Sequence, residues 1–443
     1  MTNEIMELLN KSDRAALRQI LDNINTVDLA AEMEELEELD VVKLFRMLPK
    51  GKAAEVFAHL NPDIQQGIIE SIADREIGII IDELFLDDAV DFIEEMPPNV
   101  VKRVLANVTP DRRDMINRFL QYPDASAGSI MTIEYIDLTA DMTVAAAFSR
   151  IQETGEAKET IYTCYVVDDD LRLIGEVSAR SLLLAKPESL IGEIMEQNAV
   201  CAHTHDDRES AMNNLRKYGL LAMPVVDNEE HLVGIFTFDD AFTVQEEEAT
   251  EDFEKMAAIS PSDEPYLKTS VFALVKHRLP WLLFLMIFSA ISGELVASFE
   301  NSLAALPVLM AFIPMLMNTG GNVGNQSTTL IIRGMALDDI KLADVFRVLW
   351  TELRVSFVCG AILFVTTFLS VLIFGEGVVL AVTVSLATLA IIIMSNAIAV
   401  ILTFGAKAIK LDPAVMAAPL LTNVVDIIAL VVYFSLAKVI FHI

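Results

Sequence analysis

The chain has 443 residues, more than one domain holds, and a formal net charge of −32 at pH 7. Nine acids and nine bases lie from Val271 onward, leaving 55 acids and 23 bases before it, so the whole excess is N-terminal. That balance excludes the clustered Lys and Arg that nucleic acid needs and suits divalent cations, which take hard oxygen ligands, although a solvated acidic surface also meets the composition.

The three cysteines, Cys164, Cys201 and Cys359, are far apart and form no C-x-x-C. No disulfide framework is expected, as for a reducing cytosolic side. The acidic N-terminus lacks an apolar h-region, so no signal peptide is expected and the first membrane helix directs insertion.

Residues 1–125 carry apolar residues at helical spacing, such as Leu44, Phe45 and Leu48, then Val56, Phe57 and Leu60. Prolines at 49, 62, 97, 98 and 110 cut short helices, and two of the intervals, 49 to 62 and 97 to 110, are 13 residues. Proline opens a helix well and disrupts its interior. A repeating helix-turn-Pro unit predicts an all-α superhelical domain of stacked helices.

Residues 126–243 hold an internal repeat. Gly128-Ser-Ile-Met131 matches Gly192-Glu-Ile-Met195, Tyr165-Val-Val-Asp168 matches Pro224-Val-Val-Asp227, and Leu173-Ile-Gly-Glu-Val-Ser178 matches Leu232-Val-Gly-Ile-Phe-Thr237. The order strand, helix, strand, strand, helix over 126–188 and again over 189–243 resembles a tandem pair of CBS domains, an α/β unit. Such pairs typically sense small ligands, often adenine nucleotides, which makes ATP a candidate ligand here. Cys201, His203 and His205 alternate and would share one face of a strand; a loop cluster without metal is the expected reading, a metal corner the sharper one.

Residues 244–278 form a connector. The stretch Gln245-Glu-Glu-Glu-Ala-Thr-Glu-Asp-Phe-Glu-Lys-Met256 has high helix propensity and six acids, and a breaker run, 260–265, follows. Beside a membrane this charge self-repels unless cations neutralise it; a hydrated polar linker is the alternative.

From 279 to 443 the apolar runs 279–299, 302–332, 355–375, 377–406 and 413–440 predict an α-helical membrane domain of five spans. Lys276 and Arg278, then Arg333, Lys341, Arg347 and Arg354, then Lys407 and Lys410 fall on one side if residues 1–278 are cytoplasmic. The C-terminus is then outside.

Two charges fall inside those runs, Glu294 and Asp426, and intramembrane charges usually serve function. Glu294 is near the expected outer end and can reach headgroups. Asp426 is flanked by apolar residues on both sides, and a cation site there is favoured over a buried neutral acid. Nearby oxygens come from Met317-Asn-Thr-Gly-Gly-Asn-Val-Gly-Asn-Gln-Ser-Thr-Thr329, placed in the uncharged run 301–332. Polar backbone at membrane depth must line protein or water. Gly320, Gly321 and Gly324 are expected to kink or break a helix there. Two symmetry-related carboxylates would ring an axis, and a hydrated Mg²⁺, which sheds water reluctantly, suits such a ring.

Pro314-Met-Leu-Met-Asn-Thr-Gly-Gly-Asn-Val-Gly-Asn-Gln-Ser-Thr-Thr329 with Leu-Ile-Ile-Arg333, Leu411-Asp-Pro-Ala414 and Thr422-Asn-Val-Val-Asp426 resemble the signatures of the MgtE magnesium transporters and channels. The domain order matches over the full length. The resemblance implies a transport protein and not an enzyme: a homodimeric, Mg²⁺-selective channel in the cell membrane that closes when cytoplasmic Mg²⁺ bridges its acidic domains. By motif, Asp426 would be the pore ligand with Asn325 and Gly321 near it. Glu55, Asp87 and Asp91 match N-domain sensor acids; Asp207 and Glu209 match acids of the second CBS unit; Asp240, Glu248, Glu251 and Asp252 match domain-closing sites. Gly219 and Thr243 stand where family members can carry Asp, so fewer regulatory ligands are expected. The competing readings are a membrane-anchored CBS sensor, which has no need of 317–332 or Asp426, and an ion-coupled secondary transporter of divalent cations, which broken helices would suit.

Overall fold

The computed structural model describes residues 5–6, 8, 14–262, 266–267, 269–300, 304, 306–337, 339–416 and 418–442. Residues 1–4 of the N-terminus, 263–265 of the breaker run and 301–302 of the first expected outer loop lie outside them. The chain divides into two compact units, Met1–Gln245 and Glu246–Ile443.

The first unit opens with nine described helices of 8–10 residues: α1 (Arg14–Asn23), α2 (Thr26–Glu34), α3 (Glu38–Phe45), α4 (Lys50–Ala58), α5 (Pro62–Ser71), α6 (Asp74–Glu83), α7 (Leu86–Glu95), α8 (Pro98–Asn107) and α9 (Pro110–Phe119). Pro62, Pro98 and Pro110 occupy first helical positions, and Pro49 and Pro97 precede helices, where the missing N–H costs nothing. Helices this short are unstable alone and are held by packing. Each lies against the one two further on, α2 on α4 on α6 on α8 and α3 on α5 on α7 on α9, so alternate helices form two layers around one apolar core that includes Leu44, Phe57, Ile69, Ile81 and Phe92. The few bases cap carbonyls left open at helix C-termini. Lys52 donates to Ile24 O at 2.5 Å, Arg103 to Ile69 O at 2.7 Å and Ile72 O at 2.9 Å, and Arg112 to Leu84 O at 2.5 Å.

Two small sheets follow. In the first, β1 (Asp137–Thr139) pairs parallel with β2 (Thr163–Val167), and β2 antiparallel with β3 (Leu173–Ser178), with α10 (Val144–Thr154) as crossover. Helices α11 (Ala179–Leu184) and α12 (Ile191–Ile194) lead to β4 (Glu196–Gln197) on its edge. The second sheet repeats the pattern: β5 (Ala202–His203) parallel to β6 (Ala222–Val226), β6 antiparallel to β7 (Leu232–Thr237), with α13 (Arg208–Tyr218) as crossover. The acid ending each central strand has one role in both copies. Asp168 Oδ1 accepts from the N–H of Asp170 and Arg172, and Asp227 Oδ1 from those of Glu229 and His231, all at 2.9 Å, Asx-type turns that reverse the chain. The halves join through Tyr165, Val167, Leu232 and Ile235 in one buried cluster. Gly219 ends α13 at φ +65°, the left-handed cap glycine favours.

Helix α14 (Phe238–Met256) continues from β7 across the boundary between the units. The second unit holds α15 (Val271–Ser298), α16 (Ile313–Ala336), α17 (Val345–Ile373), α18 (Val378–Ala408) and α19 (Ala418–Phe441). Helix α18 is central, packed against α16, α17 and α19, while α15 rests on α19.

Two expectations change here. Among the described residues, four stretches are long and apolar enough to cross a membrane, 271–298, 342–373, 378–408 and 419–441; α16 is not among them, because its run of Asn, Thr, Gly, Gln and Ser lowers its hydropathy. And α16 is one continuous helix across Gly320, Gly321 and Gly324, so these glycines do not break it. Spans also begin earlier than the apolar runs, placing Lys276 and Arg278 in α15 and Arg347 and Arg354 in the first turns of α17.

Glycines in the helical stack separate packing from entropy. A Cβ at Gly78 of α6 would overlap the Asn107 carbonyl oxygen, whereas one at Gly51 of α4 meets nothing within 4 Å. Gly78→Ala should cost about 1–3 kcal/mol, and Gly51→Ala should add about 0.5–1 kcal/mol. Hydrogen exchange of the helical stack in the full chain reads both; equal effects would contradict the packing described.

Candidate ion path and acidic sites

Helix α16 approaches α18 and α19 through its glycines. A Cβ at Gly320 would lie 2.7 Å from Ile391 and 2.8 Å from Val425, at Gly321 3.0 Å from Thr422, and at Gly324 2.6 Å from Ser395 Oγ and 2.9 Å from Leu421. Small residues let helix backbones close in a bilayer. Ser395 Oγ uses the closeness to donate to Gly320 O at 2.6 Å.

This contact brings Asn325 of α16 to Thr422 of α19, Asn325 Nδ2 donating to Thr422 Oγ1 at 3.4 Å. Thr422 lies one turn before Asp426. Asn325 Oδ1 and Asp426 Oδ1 are both buried without a hydrogen-bond partner. Buried acceptors are normally satisfied, and an unpaired carboxylate oxygen is costlier still. Two hard, unpaired oxygens on facing helices form a donor set that suits a cation. Among the residues expected from sequence, the structure thus places Gly321 and Asn325 against Thr422, and Asp426 one turn along the same helix. Thr422 was visible in the motif but carried no role until the helices were paired.

Acids of the first unit gather around Asp87. Its Oδ1 is buried without a hydrogen-bond partner, and its carboxyl is raised well above the usual range by burial, then by Asp88, Asp240 and Glu159. Burial also pushes Asp88 up to about 6, reinforced by Asp240 and Glu134 and opposed by Arg112. Glu159 is pushed up to about 7 by burial, then by Asp240 and Asp239. Asp240 is raised by burial although it accepts from Thr237 N at 3.0 Å and Thr237 Oγ1 at 2.7 Å. Four segments therefore meet: α7, the loop before β1 with Glu134, the loop after α10, and the start of α14. Sequence motifs supplied Asp87 and Asp240; Asp88, Glu134, Glu159 and Asp239 come together only through folding. Arg112, 3.3 Å from Glu134, is the cation beside them.

Other expected residues lie apart. Glu55 and Asp91 are exposed on α4 and α7. Asp207 caps α13, accepting from Ser210 N at 2.9 Å, with Glu209 in the first turn. Thr243 Oγ1 donates to Asp239 O at 3.4 Å. Cys201, His203 and His205 do not converge: strand β5 is only two residues long, His203 faces Asp206 and Glu230 at 3.6 and 3.5 Å, and His205 Nδ1 meets Thr204 Oγ1 at 3.0 Å. Among the described residues Asp227, Glu229 and His231 do come close enough to share an ion, but Asp227 is occupied by its turn amides and by His231 Nδ1 at 2.9 Å.

At the far end of α14, Glu248, Glu251 and Asp252 follow one another along the helix. Lys255 Nζ lies 2.6 Å from Glu251 and 2.7 Å from Asp412, the acid of Leu411-Asp-Pro. Asp412 Oδ1 accepts from Ala414 N at 2.8 Å. Asp252 is pushed up to about 6 by burial and then by Asp412, against the pull of Lys255. Met256 packs with Ile332 and Ala414, and Ser260 N donates to His277 O at 3.0 Å. Sequence reading gave Glu251 to a metal; in the structure its first partner is Lys255.

Comparison with known proteins matches three parts of the chain to family profiles: "MgtE intracellular N domain" over 24–125, "CBS domain" over 127–188 and 191–247, and "Divalent cation transporter", MgtE, over 313–436. The chain is 34% identical to the magnesium transporter MgtE of Thermus thermophilus over 437 residues, 98% of this chain and 97% of that protein. It is 28% identical to the magnesium transporter MgtE of Bacillus subtilis over 438 residues, 99% and 97% respectively. Among solved structures, the cytosolic domain of the Mg²⁺ channel MgtE in complex with ATP aligns with a TM-score of 0.53 at 34% identity, covering 55% of this chain and 100% of that one. The soluble part of a magnesium transporter aligns with a TM-score of 0.54 at 27% identity, covering 56% and 98%. Across the helical stack, the repeated sheets and the apolar helices alike, the chain belongs to the MgtE family of divalent cation transporters, multi-pass membrane proteins rather than enzymes.

Proposed function

We propose that this chain forms a Mg²⁺-selective channel that imports Mg²⁺ across the cell membrane and that Mg²⁺ itself closes from the cytoplasmic side. The observation that carries the reading is the pair of buried, unpartnered oxygens, Asn325 Oδ1 and Asp426 Oδ1, on the packed helices α16 and α19. Helix α16 serves as the fifth span, its polar face turned to the path. Two copies of the chain supply two Asp426 carboxylates, which hold the waters of a hydrated Mg²⁺ instead of stripping them. Residues 1–278 face the cytoplasm and the C-terminus lies outside, as the basic residues near 276–278, 333–354 and 407–410 require.

Closure follows from electrostatics. Asp87, Asp88, Glu134, Glu159 and Asp240, half-buried together, repel one another and the exposed Asp239 beside them. Mg²⁺ bound by Asp87 and Asp240 offsets that repulsion and draws the start of α14 onto α7. Glu55, Asp91, Asp207, Glu209 and Glu248 add acidic surface for further ions. The far end of α14 is fastened to Asp412 through Lys255, immediately before α19, so a shift of α14 reaches the helix that carries Asp426. ATP is the ligand we assign to the CBS pair, on the likeness to the ATP-bound cytosolic domain.

Asp426→Ala should abolish Mg²⁺ uptake into proteoliposomes while leaving expression and oligomeric state unchanged; normal uptake sinks the pore assignment. Acid titration supplies a second check. Asp88 and Glu159 have folded values of about 6 and about 7, above the ordinary carboxyl range of about 4. The folded state binds more protons there, so these groups favour folding below pH ~4 and lose that contribution as pH rises through about 6 and 7. Without divalent ions, the unfolding midpoint of the N-terminal unit should fall across that window, and Mg²⁺ should restore it at pH 7.5. A midpoint unmoved by Mg²⁺ contradicts the sensor.

A further inference from the structure

Glu352 lies inside the candidate span 342–373, where a carboxylate calls for a reason. It has no ion pair among the described residues. Its partner is a hydroxyl of α16: Ser327 Oγ donates its one proton to Glu352 Oε2 at 2.6 Å, the shorter of its two contacts, and lies 2.9 Å from Asn396 Oδ1 of α18. Asn396 Nδ2 donates to Ser356 Oγ at 2.8 Å, and Ser356 Oγ donates to the Glu352 carbonyl at 2.7 Å. Four side chains thus close a ring across α16, α17 and α18. Ser327, Ser356 and Asn396 are buried, and Glu352 borders a cavity of about 330 Å³ lined also by Leu330, Ile331, Arg347 and Thr351.

The ring differs from most other hydroxyls of these helices, Ser395 on Gly320 O and Thr422 beside Asn325 also being interhelical. Thr319, Thr383, Ser385, Thr388 and Thr403 each donate to a carbonyl four residues back in their own helix and tie nothing together. Ser327 instead bonds outward to two neighbouring helices, two residues beyond Asn325. The glycines set how near α16 comes to α18 and α19, and Ser395 ties it to α18 through a backbone carbonyl; Ser327 adds a side-chain tie to α17. A hydrogen bond to a carboxylate is both directional and strong. A hydroxyl held this way fixes the angle at which Asn325 is presented.

We propose that Glu352 is a positioning residue for the ion path: through Ser327 it fixes the rotation and height of α16 and so of Asn325. The inference rests on α16 being a wall of that path. Its hydrogen bond, not its charge, does the positioning, so Gln should replace it and Ala should not.

The test uses the full chain, with Mg²⁺ uptake in proteoliposomes and hydrogen–deuterium exchange of α16 amides in detergent. Glu352→Ala and Ser327→Ala should each raise the half-saturating Mg²⁺ concentration about tenfold, the effect of losing one buried hydrogen bond, and speed α16 exchange. Maximal flux should change by less than about twofold. Glu352→Gln should stay within about twofold of the parent in half-saturation and keep its exchange slow, and Glu352→Ala/Ser327→Ala together should be no worse than either alone. Equal damage from Gln and Ala, or additive damage in the double variant, overturns the proposal. If Glu352→Ala does not fold, Ser327→Ala decides: unchanged exchange and uptake overturn it. Exchange needs no transport, so normal uptake by Asp426→Ala would remove the pore reading while leaving the positioning role to stand or fall by exchange.

Discussion

Helix α16 lies against α18 and α19 at a distance that side chains would forbid. Gly320, Gly321 and Gly324 set that distance, with Ile391, Val425, Thr422, Ser395 and Leu421 filling the space a Cβ would need. Everything polar in the membrane unit depends on it. The approach puts Asn325 beside Thr422, one turn before Asp426, and lets Ser395 bond a backbone carbonyl. In a bilayer interior no water is at hand to satisfy what remains unpaired, and Asn325 Oδ1 and Asp426 Oδ1 are left there without hydrogen-bond partners.

The two ends of α14 show two ways of handling negative charge. At its start, Asp239 and Asp240 join Asp87, Asp88, Glu134 and Glu159, with Arg112 paired to Glu134 beside them, and burial raises the carboxyls of Asp87, Asp88, Glu159 and Asp240. At its end, Lys255 sits between Glu251 and Asp412, a fixed cation that does not vary with ion concentration. An acidic cluster and a cluster that carries its own cation lie at the two ends of one helix.

Much of this organisation was legible in the sequence. Proline spacing announced the helical stack, and matched strand strings announced the repeated sheets, because local geometry dictates both. Asp426 stood out as a charge in an apolar run. What stayed hidden depends on contacts between distant segments. The glycines of α16 read as helix breakers, yet with no water to compete for their backbone bonds the helix continues, and their missing side chains serve packing. Glu352 escaped notice because the apolar run was judged to start at 355, whereas helix α17 starts ten residues earlier. Glu159 had no motif to mark it, Asp88 stood beside Asp87 in its motif without a role, and Lys255 was one base in an acidic stretch until Asp412 was seen beside it.

Current through single channels, recorded in a planar bilayer while Mg²⁺ is varied on the side facing residues 1–278, tests the central claim most directly. The account predicts discrete Mg²⁺-carried openings at low Mg²⁺ on that side, giving way to closure as Mg²⁺ rises. Openings whose frequency ignores Mg²⁺ on that side, or transport without any unitary current, would contradict it.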